Sequence, residues 1–191
     1  MYPEPKTRSR CVFVITGTPG TGKTTLARDL GRRLGAEIID ANAVAARFRL
    51  YSGSLMGARI VRMKELERRL NAAVSGCRAG TVILEGHLLC DMHIKGATAI
   101  VLRSHLKPLA SRLEQRGYGK AKVSENVLCE AVDYCGVNAS KNYKKVFEII
   151  GSMPELRRKA MNIIFSGRAG GDNVELLHEL LPLIKNGRIR S

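Results

Sequence analysis

Cys11-Val12-Phe13-Val14-Ile15 runs straight into Thr16-Gly17-Thr18-Pro19-Gly20-Thr21-Gly22-Lys23-Thr24-Thr25, and Leu26-Ala27-Arg28-Asp29-Leu30 comes next. These residues decide the fold. The first five are apolar without alternation, as in a strand covered on both faces. Gly17 to Thr24 match the pattern G-x-x-x-x-G-K-S/T, set between a strand and a helix, which is the context this motif requires. Gly17, Gly20 and Gly22 permit positive φ and a close approach to an anion. Successive backbone N–H groups then form a nest, and the helix that starts near Gly22 adds the positive end of its dipole. Lys23 suits β- and γ-phosphates, the Thr24 hydroxyl suits Mg²⁺, and Thr25 supports the α-phosphate side. The chemistry is that of an ATP and Mg²⁺ site.

Outward from this loop the pattern repeats. The first helix ends at Leu34, with Gly35 as its C′ residue. Glu37-Ile38-Ile39 reads as a short strand ending at Asp40. The stretch Asp40–Met63 is irregular: Ala43–Arg49 is helix-like, Tyr51-Ser52-Gly53-Ser54 reads as a loop, and the whole looks like an inserted substrate segment. Met63, Leu66, Leu70 and Ala73/Val74 mark one face of a helix. Thr81–Glu85, Ala97–Leu102 and Val146–Ile150 are further apolar strands. Pro108, read at N1, opens a helix through Arg116, and Gly117-Tyr118-Gly119 breaks it. Lys120–Glu125 reads as a polar loop, about Ser124 to Cys135 as a helix, and Gly136–Lys145 as a polar connection. Ser152-Met153-Pro154-Glu155 is a capping box before a helix Pro154–Phe165. Asp172 is placed to cap a last helix carrying Val174, Leu177, Leu181 and Ile184. The prediction is an α/β fold, a P-loop NTPase with a parallel sheet and helices on both faces. In domain terms, residues 1–10 form a disordered basic tail, 11–165 the P-loop domain, and 166–191 a linker, terminal helix and basic tail.

At 191 residues, 45% of them apolar, the chain is long enough for one domain with a real core. No apolar run approaches the ~20 residues that cross a bilayer, and Met1–Arg10 has no signal-peptide character. Five scattered Cys without zinc-ligand spacing point to reduced thiols in a cytoplasmic setting. The net charge of +15, from 32 Lys and Arg against 17 Asp and Glu, exceeds what phosphate binding needs. An anionic surface partner such as RNA, or a merely basic composition, accounts for the excess equally well.

Ligands in such sheets sit at the carboxyl ends of the strands, here Gly17, Asp40, Glu85 and Arg103. Glu85 comes after an apolar strand in the Walker B manner, suited to holding Mg²⁺ through water, and His87 suits orientation or base work near neutral pH. Arg112 and Arg116 share one helix face before the Gly-Tyr-Gly break, where a closing lid would begin. With Arg103 they offer cations to a transferring phosphoryl group. Asp40, Asn42, Arg47 and Arg49 are candidates for an acceptor and its phosphate. His93, His105 and His178 read as surface or cap residues.

G-T-P-G-T-G-K-T-T-L, E-G-H-L, V-L-R, R-L-E-Q-R-G-Y and K-V-S-E-N-V together resemble the adenylate-kinase-like NTPases shared by archaea and the eukaryotic nucleus. The resemblance spans about Cys11 to Phe165. It implies a nucleoside-monophosphate-kinase-like fold with a five-stranded parallel sheet, an acceptor segment at about 40–63 and a short lid at about 115–125. It implies transfer of the ATP γ-phosphoryl group to AMP, an intrinsic ATPase, and a role in small ribosomal subunit maturation with a ribosomal protein and rRNA as partners. Carried over, Gly20, Gly22, Lys23, Thr24, Thr25 and Arg116 bind ATP, with Glu85 and His87 as the Walker B pair. Asp40, Asn42, Arg47, Arg103 and Arg112 remain for the acceptor. The chain departs from the family after Leu50-Tyr51, where Ser52–Arg59 contains no acid, and at Ala43, where a carboxylate is common. Two alternatives stand beside this reading: another small-molecule P-loop kinase, and an ATP-hydrolysing switch on a ribonucleoprotein.

Overall fold

Val12 and Val14 face one side of the central strand and Phe13 and Ile15 the other, and each side meets its own layer of helices. In the computed structural model, which describes residues 11–55, 58–167, 171–187 and 189, that strand is β1 (Cys11–Thr16). It lies between β5 (Thr81–Glu85) and β6 (Ala97–Leu102). β2 (Glu37–Asp40) flanks β5 and β7 (Val146–Ile149) flanks β6, giving five parallel strands in the order β2-β5-β1-β6-β7. The five predicted strands are all present, and the parallel sheet is the product of their helical connections.

One face carries α1 (Lys23–Leu34) and α7 (Met153–Ser166), which bury Leu26, Ala27, Leu30, Leu156, Ala160 and Ile163. Gly35 caps α1 in the left-handed conformation at φ 59°, and Ser152 and Glu155 form the predicted capping box of α7. The other face carries α2 (Ala41–Arg47), α3 (Met63–Gly76) and α6 (Tyr134–Asn142), with Leu66, Leu70 and Val74 in the core as their spacing predicts. A third cluster joins α4 (Leu106–Gln115) and α5 (Lys120–Ala131) to the C-terminal segment through Leu109, Leu113, Val123, Val127, Leu176 and Leu183.

Several expectations are corrected. Tyr51–Ser54 is not a loop. It belongs to β3 (Tyr51–Leu55), which pairs antiparallel with β4 (Ala58–Val61) outside the main sheet. Lys120–Glu125 is the first part of α5, which turns Lys120 and Glu125 to solvent and buries Val123 and Val127, four apart, together with the polar Ser124, Asn126 and Glu130. Gly136–Lys145 is largely α6; Asp133 caps it by accepting from Gly136 N, and small residues such as Ala139 make its buried side, a pattern too short of large apolar residues to read. Pro108 is the third residue of α4 rather than N1, still within the first turn that lacks intrahelical N–H partners. The extra turn starts at Leu106, whose N–H is held by the distant Glu179 carboxylate at 2.9 Å.

Asp172 caps no helix. Its N–H donates to the Glu148 carbonyl at 2.7 Å, and its Oδ2 accepts from Ile150 N and the Lys159 ammonium. The last helix, α8 (Leu180–Lys185), begins later, after a 3₁₀ turn Leu177–Glu179. It buries Leu183 and leaves Leu177 and Leu181 exposed. The predicted N-terminal tail lies outside the described residues, as do parts of the linker and of the basic C-terminus. Among the described residues no helix is long and apolar enough to cross a membrane.

Candidate active site

The register of the sheet assembles the site. Asp40 pairs with Glu85, and Glu85 with Ile15, so the ends of β2, β5 and β1 lie side by side just before the Gly17 turn. Gly17 has φ +136°, and a Cβ there would lie 2.3 Å from the Leu102 carbonyl oxygen of the neighbouring strand. Only glycine fits that approach. Gly20 and Gly22 also have positive φ, as the motif requires. The loop closes around a cavity of about 240 Å³ lined by Pro19, Gly20, Gly22, Lys23, Thr24, Thr25, Asn42, Glu85, His87, Arg116 and Tyr118.

The functional groups converge from four elements. Lys23 Nζ donates to the Thr18 carbonyl at 2.9 Å, an acceptor it shares with the Thr21 N–H and hydroxyl. Burial lowers the Lys23 pKa to about 8 against the opposing pull of Cys135, Glu85 and Glu130. Thr24 Oγ1 donates to Glu85 Oε1 at 3.0 Å. Burial raises the Glu85 pKa, opposed by that hydrogen bond and reinforced by the charge of Asp40. Burial, with help from Lys23 and Lys122, lowers the His87 pKa to about 4, so its imidazole is neutral at pH 7. A neutral ring can accept a proton or orient a water. Above the ordinary His pKa this ring carries no linkage. As pH falls from about 6.5 toward 4 the unfolded chain takes up the proton first, so its contribution works against the fold in that window. Arg116 lies at the C-terminal end of α4, exposed, and among the described residues no hydrogen bond or ion pair holds its guanidinium.

Thr24 and Glu85 present hard oxygen donors 3.0 Å apart on facing elements at the cavity wall. That donor set fits Mg²⁺, which binds through one or two protein oxygens while phosphate and water fill the rest of its shell. Among the described residues no cluster of three His, Cys, Asp or Glu forms an all-protein metal cage.

Five predicted residues are not brought to the cavity wall, among them the exposed Arg49. Arg103 stands at the end of β6, but it is only 2% exposed. Its guanidinium pairs with Glu130, with Asp133 at 2.7 Å and with Glu148, and it is not part of the cavity wall where an acceptor was expected to meet it. Arg112 turns its guanidinium to the Ser104 hydroxyl. Asp40 caps α2 by accepting from Asn42 N and Ala43 N. Arg47 is exposed and lies over the Phe48 ring at 5.6 Å. The sequence reading missed Pro19 and Tyr118 as lining residues and the buried Glu130, which accepts from the Thr18 hydroxyl. Tyr118 was legible only as part of a helix break. A larger cavity, about 780 Å³, lies between α4, α5 and α8 and shares only Tyr118 with the first. It has no glycine-rich nest, so the smaller one is the candidate site.

A family model described as an AAA domain matches residues 14–133. A protein of Pyrococcus furiosus named "Putative adenylate kinase" is 35% identical over 185 residues, covering 92% of this chain and 98% of its own. The chain belongs to this P-loop family. A relative of the same printed name from Methanothermobacter thermautotrophicus is 42% identical over 132 residues, 67% of this chain and 72% of its own. Among solved structures, TT1252 from Thermus thermophilus matches with TM-score 0.58 at 23% identity, over 84% of this chain and 98% of that one. Shikimate kinase from Acinetobacter baumannii matches with TM-score 0.59 at 15% identity, over 84% and 96%. These likenesses fix the fold as that of the P-loop kinases. The P-loop family assignment agrees with the sheet order and with the loop geometry derived above.

Proposed function

We propose that the protein transfers the γ-phosphoryl group of ATP to AMP or a related nucleoside monophosphate, and hydrolyses ATP slowly when no acceptor is bound. The observation that carries this reading is the convergence of Lys23, Thr24, Glu85, His87 and Arg116 on one cavity, with Asn42 of the segment between β2 and α3 on the same wall. Relatives named for adenylate kinase at 35% identity agree with it. The loop N–H groups cradle the β-phosphate, and Lys23 leaves the Thr18 carbonyl to meet the β- and γ-oxygens. Arg116 closes over the γ-phosphate from the turn before α5, the short lid of this reading. His87, neutral, orients the attacking group. Thr24 and Glu85 hold Mg²⁺, which when bound neutralises charge on the phosphates.

The net charge of +15 suits an anionic surface partner, for which we propose rRNA, while a ribosomal protein of the small subunit rests on the family resemblance alone. One observation favours a second reading, an ATPase switch on such a ribonucleoprotein: Asn42 alone of the acceptor candidates lines the cavity, while Asp40, Arg47, Arg103 and Arg112 are turned to other partners or to solvent.

A coupled assay of ADP formation, with and without AMP, separates the readings. A many-fold stimulation by AMP is expected. An unchanged slow rate, raised instead by RNA, would replace the kinase by the switch. In the same assay kcat/KM for ATP should fall as pH rises through about 8, because Lys23 then loses the charge that meets the phosphates. A flat profile to pH 9 would mean that Lys23 keeps its charge throughout that range, and would overturn the lowered pKa rather than the phosphate contact.

A further inference from the structure

We infer that Glu130, a buried carboxylate that lies off the cavity wall, is a positioning residue that holds the P-loop in its phosphate-binding shape through the Thr18 hydroxyl. Glu130 is 1% exposed and stands near the end of α5. Its Oε2 accepts from Thr18 Oγ1. Its Oε1 accepts from Arg103 Nε at 3.0 Å and from Ser104 N at 2.9 Å, and its backbone carbonyl accepts from Arg103 at 2.9 Å. The carboxylate is therefore fixed by Arg103 and Ser104 just after β6, and it in turn fixes Thr18.

Thr18 is the pivot of the loop. It is 2% exposed, and its carbonyl holds both Thr21 and the Lys23 ammonium. A hydroxyl that serves only to fill space would not need a charged acceptor 112 residues away in the chain. Glu130 also faces Lys23 electrostatically and helps to keep it charged. The same helix, α5, begins just after the turn that carries Arg116 and Tyr118 to the cavity. One buried carboxylate thus sets the loop and the base of the lid in a common frame. The proposal deepens the reading of the cavity as an ATP site and rests on it.

The test is Thr18→Val, which keeps the shape and removes only the hydroxyl, beside Thr18→Ser, which restores it. Thermal unfolding, ATP turnover and KM for ATP are measured on the full chain. A hydrogen bond to a charged group is strong enough that its loss should raise KM for ATP about tenfold. We expect kcat within about threefold of wild type, Thr18→Ser within about twofold in KM, and an unfolding temperature within a few degrees. A role confined to stability would lower the folded fraction, and hence the apparent kcat, without moving KM. Wild-type KM in the folded Thr18→Val protein would overturn the inference. Wild-type protein that shows no saturable ATP turnover would overturn the ATP reading itself, whatever the variants do. Glu130→Gln should raise KM in the same direction, and an unchanged KM there would likewise count against the strut.

Discussion

Lys23→Met should cut kcat/KM for ATP by at least about 10²–10³-fold, the scale seen when one preorganised donor to developing charge is lost. It should do so without unfolding the protein. Lys23 is nearly buried, 8% exposed, and burial is what drives its pKa down to about 8. The fold therefore gains nothing from the charge, and an apolar side chain of similar length is at least as comfortable there. In the resting site the ammonium is parked on the Thr18 carbonyl, an acceptor also satisfied by Thr21. Removing the lysine leaves no orphaned group behind. Arg116 cannot substitute, because it approaches from the turn after α4 and not from within the nest. Steady-state kinetics and a thermal melt on the same preparation check both halves. Turnover near the wild-type level would sink the assignment of the loop. Lost turnover with a large fall in melting temperature would mean that the lysine is structural.

For Arg103→Met the expectation is reversed: a loss of roughly 3–5 kcal/mol in unfolding free energy. The guanidinium is the common partner of Glu130, Asp133 and Glu148, and the residue is only 2% exposed. Without it three carboxylates face one another with no cation between them. Against a total stability of about 5–15 kcal/mol that is a large fraction. Arg103→Lys should not restore it, since a single ammonium cannot span three carboxylates as the planar fork does. Burial and the nearby Asp133 already raise the Glu148 pKa. Mild acid should therefore relieve part of the damage in the variant, as that group takes up a proton. Urea unfolding at two pH values measures the effect. Full stability, together with a raised KM for AMP, would return Arg103 to the acceptor site.

Much of this was legible in the chain. The loop, its strand and its helix were fixed by local pattern, as were the other four strands, because buried parallel strands are continuous apolar runs. The residues proposed for ATP came from the loop motif and, for Glu85, His87 and Arg116, from the strand end, the helix break and the family resemblance, and all of Gly20, Gly22, Lys23, Thr24, Thr25, Glu85, His87 and Arg116 line one cavity. The readings that the structure places differently depended on distant partners. Arg103 reads as a strand-end cation until Glu130, Asp133 and Glu148 come in from elements 27 to 45 residues away. Asp172 reads as a helix cap until the end of β7 takes both its N–H and its carboxylate. The helix α6 was hidden because its buried face is Cys135, Gly136 and Ala139, residues with little apolar signal. The acceptor side was the least legible: Asn42 reaches the cavity while its neighbour Asp40 is committed to capping, and nothing in the spacing separates the two.

The bonds around Asp172 have a bearing on solubility. A parallel sheet must end somewhere, and a bare outer strand offers a template on which another copy can add a strand of its own. Here β7 is one of the two outer strands, opposite β2, and the segment at Gly171–Asp172 occupies its Glu148 carbonyl and the Ile150 N–H just beyond it. The C-terminal residues thus act as a guard against stacking from molecule to molecule. A chain trimmed at Phe165 would keep every residue of the cavity wall but lose this guard, together with Leu176 and Leu183 beneath α4 and α5, and aggregation is an expected symptom.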